Sequence, residues 1–206
     1  NENICTCSDA ALPVSVIHLM NAGKDTTACE SIGVPIGTPG ITGYTYFWIP
    51  SIYLNSYTIS DPVFTFTGVL TQPDTLSYQL VTNRPGNCNS RDTMKIIVYP
   101  VSTANAGPDT SVCSGNSVQL ANSAAMNNLS VHWITSGDGI FDNANIIHPF
   151  CTPGPADIAA GFVNLSFVAL GYCAPDTDIV RISYASAAFA NAGPDASVCQ
   201  QSGYQV

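Results

Sequence analysis

Charge is what this 206-residue sequence has least of: five Lys or Arg and 14 Asp or Glu make 9% of the chain, against about 25% in an average soluble protein. Five basic residues within a formal charge of −9 provide no cationic stripe to displace counterions from a phosphate backbone, which excludes a nucleic-acid partner. The chain also lacks the high net charge per residue that holds a segment open, and the Ala, Glu, Lys and Leu content that builds long helices. There is no run of about 20 apolar residues, so no spanning helix is expected. No positively charged leader precedes an apolar stretch, and the sequence reads as mature exported material or a segment of it.

Catalytic signatures are missing as well. His18, His132 and His148 are scattered, and His132 beside Trp133 reads as a strand residue. Gly33-Val-Pro-Ile-Gly37 has no Lys-Ser/Thr and no helix after it, so it is no phosphate loop. A Gly-x-Ser-x-Gly nucleophile motif is absent. Two acidic pairs, Asp138 with Asp142 and Asp176 with Asp178, are explained by turn chemistry, as in Ser136-Gly-Asp-Gly139. The chain is expected not to be an enzyme and to need no cofactor.

What is present is repetition. Asn21-Ala-Gly-Lys-Asp-Thr-Thr-Ala-Cys29 returns as Asn105-Ala-Gly-Pro-Asp-Thr-Ser-Val-Cys113 and as Asn191-Ala-Gly-Pro-Asp-Ala-Ser-Val-Cys199, in steps of 84 and 86 residues. A fixed period of this size marks a tandem array. Residues 21–104 and 105–190 read as two modules, 1–20 as the last strand of a preceding module, and 191–206 as the opening strand of a following one. Within them Tyr44–Trp48, Val63–Thr67, Leu76–Thr82 and Met94–Tyr99, then Ser117–Leu120, Ser130–Trp133, Phe162–Ala169 and Asp178–Tyr184, are β-branched, aromatic or alternating. Breaks fall at Ile49-Pro50, Asp61-Pro62, Gln72-Pro73, Arg84-Pro85-Gly86 and Thr152-Pro-Gly-Pro155. One Trp per module, Trp48 and Trp133, among strands every 8 to 12 residues predicts an all-β protein of tandem immunoglobulin-like sandwiches.

Eight cysteines point to an oxidising compartment, and their spacings match no zinc site. Cys88 follows Cys29 by 59 residues and Cys173 follows Cys113 by 60, which predicts one disulfide per module, Cys29–Cys88 and Cys113–Cys173, stapling an end of each sandwich. By position Cys7 is a module's second cysteine and Cys199 a module's first, so they would pair with flanking modules or between subunits. Cys5 and Cys151 have no assigned partner; Cys151 could stay free, join Cys5 or tie to a neighbour.

The motif Asn-Ala-Gly-Pro-Asp-x-x-Val-Cys, with Trp133-Ile-Thr-Ser-Gly-Asp-Gly-Ile-Phe141 and Cys151-Thr-Pro-Gly-Pro-Ala-Asp-Ile-Ala-Ala-Gly161, resembles PKD-like and Ig-like repeats of giant cell-surface proteins in Bacteroidota, including SprB-type gliding-motility adhesins. In the first module Trp48-Ile-Pro50, Ile59-Ser-Asp-Pro62 and Gly86-Asn-Cys88 resemble a sister type of the same repeats. The resemblance covers nearly the whole chain. It implies export by the type IX route, an extracellular place on the bacterial surface, and a semi-rigid stalk for adhesion or gliding motility, its partners being neighbouring modules and surface polysaccharide.

Other roles are read beside this one. Asp25, Asp109 and Asp195 recur at each joint and are the calcium candidates, although each joint offers one evident acid where calcium takes six or more oxygens. Tyr44, Tyr46, Phe47, Trp48, Tyr53 and Tyr57 would suit a sugar-stacking platform of a carbohydrate-binding accessory module, against core packing for Trp48. Asp25-Thr26-Thr27, Asp74-Thr75-Leu76 and Asp92-Thr93-Met94 resemble Bacteroidota O-glycosylation acceptors, at Thr26, Thr75 and Thr93. A filament subunit joined by strand complementation, residues 191–206 of one chain completed by residues 1–20 of the next and locked by Cys7–Cys199, is a further alternative. The two segments are short for it: 36 residues against a module of about 85.

Overall fold

The alternation of apolar residues is realised as strands in two successive sandwiches. The computed structural model describes residues 21–84, 89–185, 190–193 and 195. Cys5, Cys7, Cys88, Cys199, His18, the strand expected in 1–20 and most of 191–206 lie outside these.

In the first module β1 (Thr26–Cys29), β2 (Val34–Pro35), β3 (Thr45–Ile49), β4 (Val63–Phe64), β5 (Asp74–Asn83) and β6 (Ser90–Tyr99) follow one another. A four-stranded sheet in the order β1-β6-β5-β3 faces the short β2-β4 pair. Period-two patterning decides which face is buried. Tyr78, Leu80 and Thr82 of β5 and Met94, Ile96 and Val98 of β6 point inward, and Trp48 of β3 closes the core at 1% exposure. Large side chains removed from water this completely contribute about 1.5–3 kcal/mol each.

The second module contains β7 (Thr103–Asn105), β8 (Thr110–Cys113), β9 (Val118–Gln119), β10 (Ala124–Met126), β11 (Ser130–Thr135), β12 (Ile140–Phe141), β13 (Phe150–Thr152), helix α1 (Pro155–Ala160), β14 (Phe162–Leu170) and β15 (Asp176–Ala185). The sheet β11-β14-β15-β8 repeats the order of the first module's main sheet, opposite β12-β13-β9 and the β10-β7 pair. Val163, Leu165 and Phe167 face Trp133, which stacks on Phe167 with centroids 4.5 Å apart. Helix α1 is absent from the sequence reading. It follows the Thr152-Pro-Gly-Pro turn, with Pro155 in its first turn, and ends at Gly161 in the left-handed conformation (φ 77°). Both modules are immunoglobulin-like β-sandwiches with separate cores, one running from Ala22 to Val98 and the other from Ala106 to Tyr184.

The opening motif of each repeat forms one device. Asn21 and Asn105 accept a hydrogen bond from the amides of Gly23 and Gly107 at 2.8 Å, with these glycines at φ 98° and 87°, which side chains other than glycine rarely adopt. The chain then enters β1 or β8, each lying parallel to the last strand of its own module, with Cys29 opposite Tyr99 and Cys113 opposite Ala185.

This topology overturns the expected cysteine pairing. Cys29 is bonded to Cys173, with Cα atoms 5.9 Å apart, so neither Cys29–Cys88 nor Cys113–Cys173 forms. Cys113 is free and exposed, and Cys151 is free and buried. The reason lies in the parallel pairing. A module's first cysteine sits beside the C-terminal end of its last strand, whereas its second precedes that strand's N-terminal end. Between Asp176 and Ala185 the strand covers roughly 30 Å, against a limit of about 7 Å between bridged Cα atoms. The first cysteines are the final residues of β1 and β8.

Candidate functional site: the joint between the modules

Cys29 and Cys173 meet because one module ends where the next begins. β6 runs out at Tyr99, and Pro100, Val101 and Ser102 lead into β7 at Thr103, so the linker is three residues long. It is gripped from both sides. Glu30, directly after Cys29 and buried at 7% exposure, accepts hydrogen bonds from the amides of Val101 (3.0 Å) and Leu70. From the second module, Asn127 donates its amide to the Val101 carbonyl at 3.0 Å, and the Ser102 hydroxyl donates to the Asn127 carbonyl at 3.2 Å. Charge-assisted acceptance of two backbone donors by one carboxylate is the stronger kind of hydrogen bond.

Two acids that the sequence placed in turns continue the grip. Asp176 accepts the Ala104 amide and Asp178 the Ala106 amide, both at 2.8 Å. Their partner strand β7 also pairs with β10, so the start of the second module is tied into its sheet from both edges. In the first module Asp92 accepts the Ala22 amide at 2.8 Å, the same bond one repeat earlier. Asp176 and Asp178 therefore act as backbone acceptors.

The second module's Gly171-Tyr172-Cys173 loop completes the joint. Gly171 lies so close that a Cβ there would meet the Ser102 hydroxyl at 2.1 Å and the Asn127 carbonyl at 2.8 Å. Tyr172 then stacks on Tyr99 at 4.2 Å between centroids. The disulfide lies beneath, its Cys173 sulfur 3.6 Å from the Tyr99 carbonyl; bridged sulfur bears no proton, so this is packing. Thr27, Ala28, Ile32 and Val34 line the adjoining hollow of about 320 Å³. Tyr99, Tyr172, Glu30, Ser102 and Asn127 escaped the sequence reading. Only Gly-x-Cys, at Gly86 and Gly171, recurs visibly.

The remaining candidate residues are dispersed. Asp25 and Asp109 accept the amides of Lys95 (2.8 Å) and Arg181 (2.9 Å), pinning β1 to β6 and β8 to β15; Asp195 is exposed. Among the described residues no three His, Cys, Asp or Glu side chains gather where a metal could be held. Asp138 and Asp157 brace each other's loops. Asp157, 3% exposed, accepts the amides of Asp138 (3.3 Å), Gly139 (2.9 Å) and Gly154 (3.3 Å). Asp138 in turn accepts those of Ala156 and Asp157, both at 3.1 Å. Asp142 caps its own turn, accepting from Asn143 at 2.7 Å and Phe150 at 2.9 Å. His132 meets Asn145 at 2.8 Å and His148 the Ser123 carbonyl at 2.9 Å, while the Ser123 hydroxyl donates to the Leu120 and Ile147 carbonyls.

Cys151 is a fully buried member of the second core, its thiol pushed up to about 11 by burial and then by Asp157. Thr75 and Thr93 are exposed on β5 and β6, and Thr26 is half-buried on β1. Of the aromatic cluster, Trp48 and Tyr46 are core and Tyr53 packs on Phe66. Phe47 and Tyr57, half exposed and 6.4 Å apart, form with Ile49, Pro50 and Arg91 an open apolar hollow of about 590 Å³.

No family model and no curated protein matches the chain. Solved structures that it resembles include the insect immune protein hemolin, with a TM-score of 0.46, 12% identity, and coverage of 82% of this chain and 46% of hemolin. Others are the extracellular cadherin domains 3–6 of protocadherin gamma B2 (0.38, 10%, 79% and 46%) and the N-terminal four Ig domains of Dscam1 (0.38, 9%, 89% and 47%). The chain spans about half the length of each, and at these scores the likeness carries nothing about ligand or partner.

Proposed function

We propose that this chain is a non-enzymatic, force-carrying stretch of an extracellular adhesin or filament, in which paired sandwiches act as a semi-rigid stalk. The observation that carries the reading is the joint: a three-residue linker held by Glu30 and Asn127, followed by a strand anchored by Asp176, and stapled by Cys29–Cys173. A short linker leaves little slack between modules, and repeat arrays transmit their orientation from neighbour to neighbour. The Cys29–Cys173 disulfide supports an oxidising compartment for the folded protein. The resemblance of the repeats to giant surface proteins of Bacteroidota supports a place on the bacterial surface, type IX export and a role in adhesion or gliding. Thr26, Thr75 and Thr93 are the O-glycosylation candidates within this reading.

Attachment under flow tests it. Replacing both modules in the parent protein with a flexible Gly/Ser linker of matched contour length should lower retention of cells under shear. Unchanged retention would remove the stalk reading. A second reading, carbohydrate binding, is favoured by the exposed Phe47–Tyr57 surface beside Arg91, because a sugar face stacks on accessible rings. Titration of the 206-residue chain with surface polysaccharides decides it, with saturable binding lost in Phe47→Ala as its expected sign.

A further inference from the structure

Cys113 is an exposed free thiol, yet it occupies the place of a bonded cysteine. Its backbone pairing and the turn after it reproduce those of Cys29. Cys29 closes β1 and Cys113 closes β8, each parallel to its module's last strand. The amide after Cys29, that of Glu30, donates to the Tyr99 carbonyl at 3.2 Å, and the amide after Cys113, that of Ser114, donates to the Ala185 carbonyl at 2.9 Å. Three residues on, Ile32 and Asn116 donate back to the carbonyls of Cys29 and Cys113 at 3.2 and 3.1 Å. Cys29 in this setting is joined to the next module. The second module's second cysteine, Cys173, stands at the opposite pole, before the last strand, against the module that precedes it.

We infer that Cys113 is the first half of the next intermodular staple, and that its partner is the second cysteine of the module opened by Asn191-Ala-Gly-Pro-Asp. The inference rests on the stalk reading and deepens it: consecutive modules are linked first-cysteine to second-cysteine along the array. Each link forms when two thiols lose two protons and two electrons and the sulfur–sulfur bond closes. The electrons pass to an oxidising protein disulfide of the export compartment, which is left as a dithiol. A staggered series of this kind ties successive modules to one another covalently, which a within-module bridge does not. Ala185 stands where Tyr99 does, so the tyrosine stack is particular to the first joint.

The experiment is a disulfide map of the full protein from its natural source, alkylated with iodoacetamide before any reduction, digested and read by mass spectrometry. The expected result is Cys113 cross-linked to a cysteine that precedes the last strand of the module opened by Asn191, alongside Cys29–Cys173. Carbamidomethylated Cys113, or Cys113 linked to Cys151, Cys199 or Cys88 of a second copy, overturns the inference and leaves the stapled first joint and the stalk reading standing. Absence of Cys29–Cys173 from the same map removes the joint itself, and the stalk reading falls with it.

Discussion

Tyr99 and Tyr172 stack face to face at 4.2 Å across the boundary between the modules, directly over the bond between Cys29 and Cys173. That bond closes a loop of sequence separation 144 that contains β2 through β14, with β1 and β15 outside it. Pulling on the chain from its two ends therefore bypasses the enclosed residues. In single-molecule stretching, the oxidised chain should never release them, and reductant or Cys173→Ser should add on the order of 500 Å of contour length, at about 3.5 Å per residue. Equal extension with and without reductant would refute the bypass.

Glu30 is the least replaceable polar residue of the joint. Glu30→Ala leaves the part-buried Leu70 and Val101 amides without their carboxylate partner, and each lost hydrogen bond to a charged group costs at most about 1.5–3 kcal/mol where water can reach the donor. Urea melts of the 206-residue chain should show a loss of roughly 2 kcal/mol or more. Glu30→Gln, with one acceptor oxygen in place of two, should fall between that variant and the parent.

Asp157 does the equivalent work inside the second module. Asp157→Asn replaces a carboxylate that accepts three amides, and should destabilise that module by about 2 kcal/mol. A Cβ on Gly137 would lie 1.6 Å from one Asp157 oxygen, so Gly137→Ala should cost a similar amount by expelling the same carboxylate. The two losses should be strongly sub-additive in the double variant, since they remove one network. Full additivity in thermal melts would show that Gly137 and Asp157 act independently.

Cys113 and Cys151, the free thiols among the described residues, should behave oppositely. In the 206-residue chain at pH 8, Cys113 should be alkylated under native conditions while Cys151 reacts only after unfolding, because thiolate and access are both needed. Burial raises the folded thiol of Cys151 to about 11. A folded value above the unfolded one means that the contribution is complete below the unfolded value and is lost as pH rises through the folded one. Tyr184, raised by burial to about 12, adds a loss of the same sign. Second-module stability should thus hold to about pH 9 and decline through pH 11. A flat profile to pH 12, read by Trp133 fluorescence, would contradict this.

Much of this molecule follows from local chemistry. Repetition of Asn-x-Gly before a β-branched run dictates the Asn21 and Asn105 turns, since the side-chain acceptor and the left-handed glycine are two residues apart and need no distant partner. Period-two alternation likewise specifies that Tyr78 and Leu80, or Leu165 and Phe167, turn inward together, and so the all-β sandwich class was legible without coordinates. The cysteines were not. Repetition gives each module a first and a second cysteine but not their pairing: Cys29 meets a second cysteine 59 residues on at Cys88 and another 144 residues on at Cys173, and nothing local chooses between them. The choice belongs to the parallel register of β1 on β6, which carries Cys29 to the far pole of its own sandwich, and to the three-residue linker that brings Cys173 of the next one within bonding reach. Glu30, Asn127, Asp157 and Tyr172 depend in the same way on partners 19 to 73 residues off along the chain, a distance over which only tertiary packing decides which donors and rings meet.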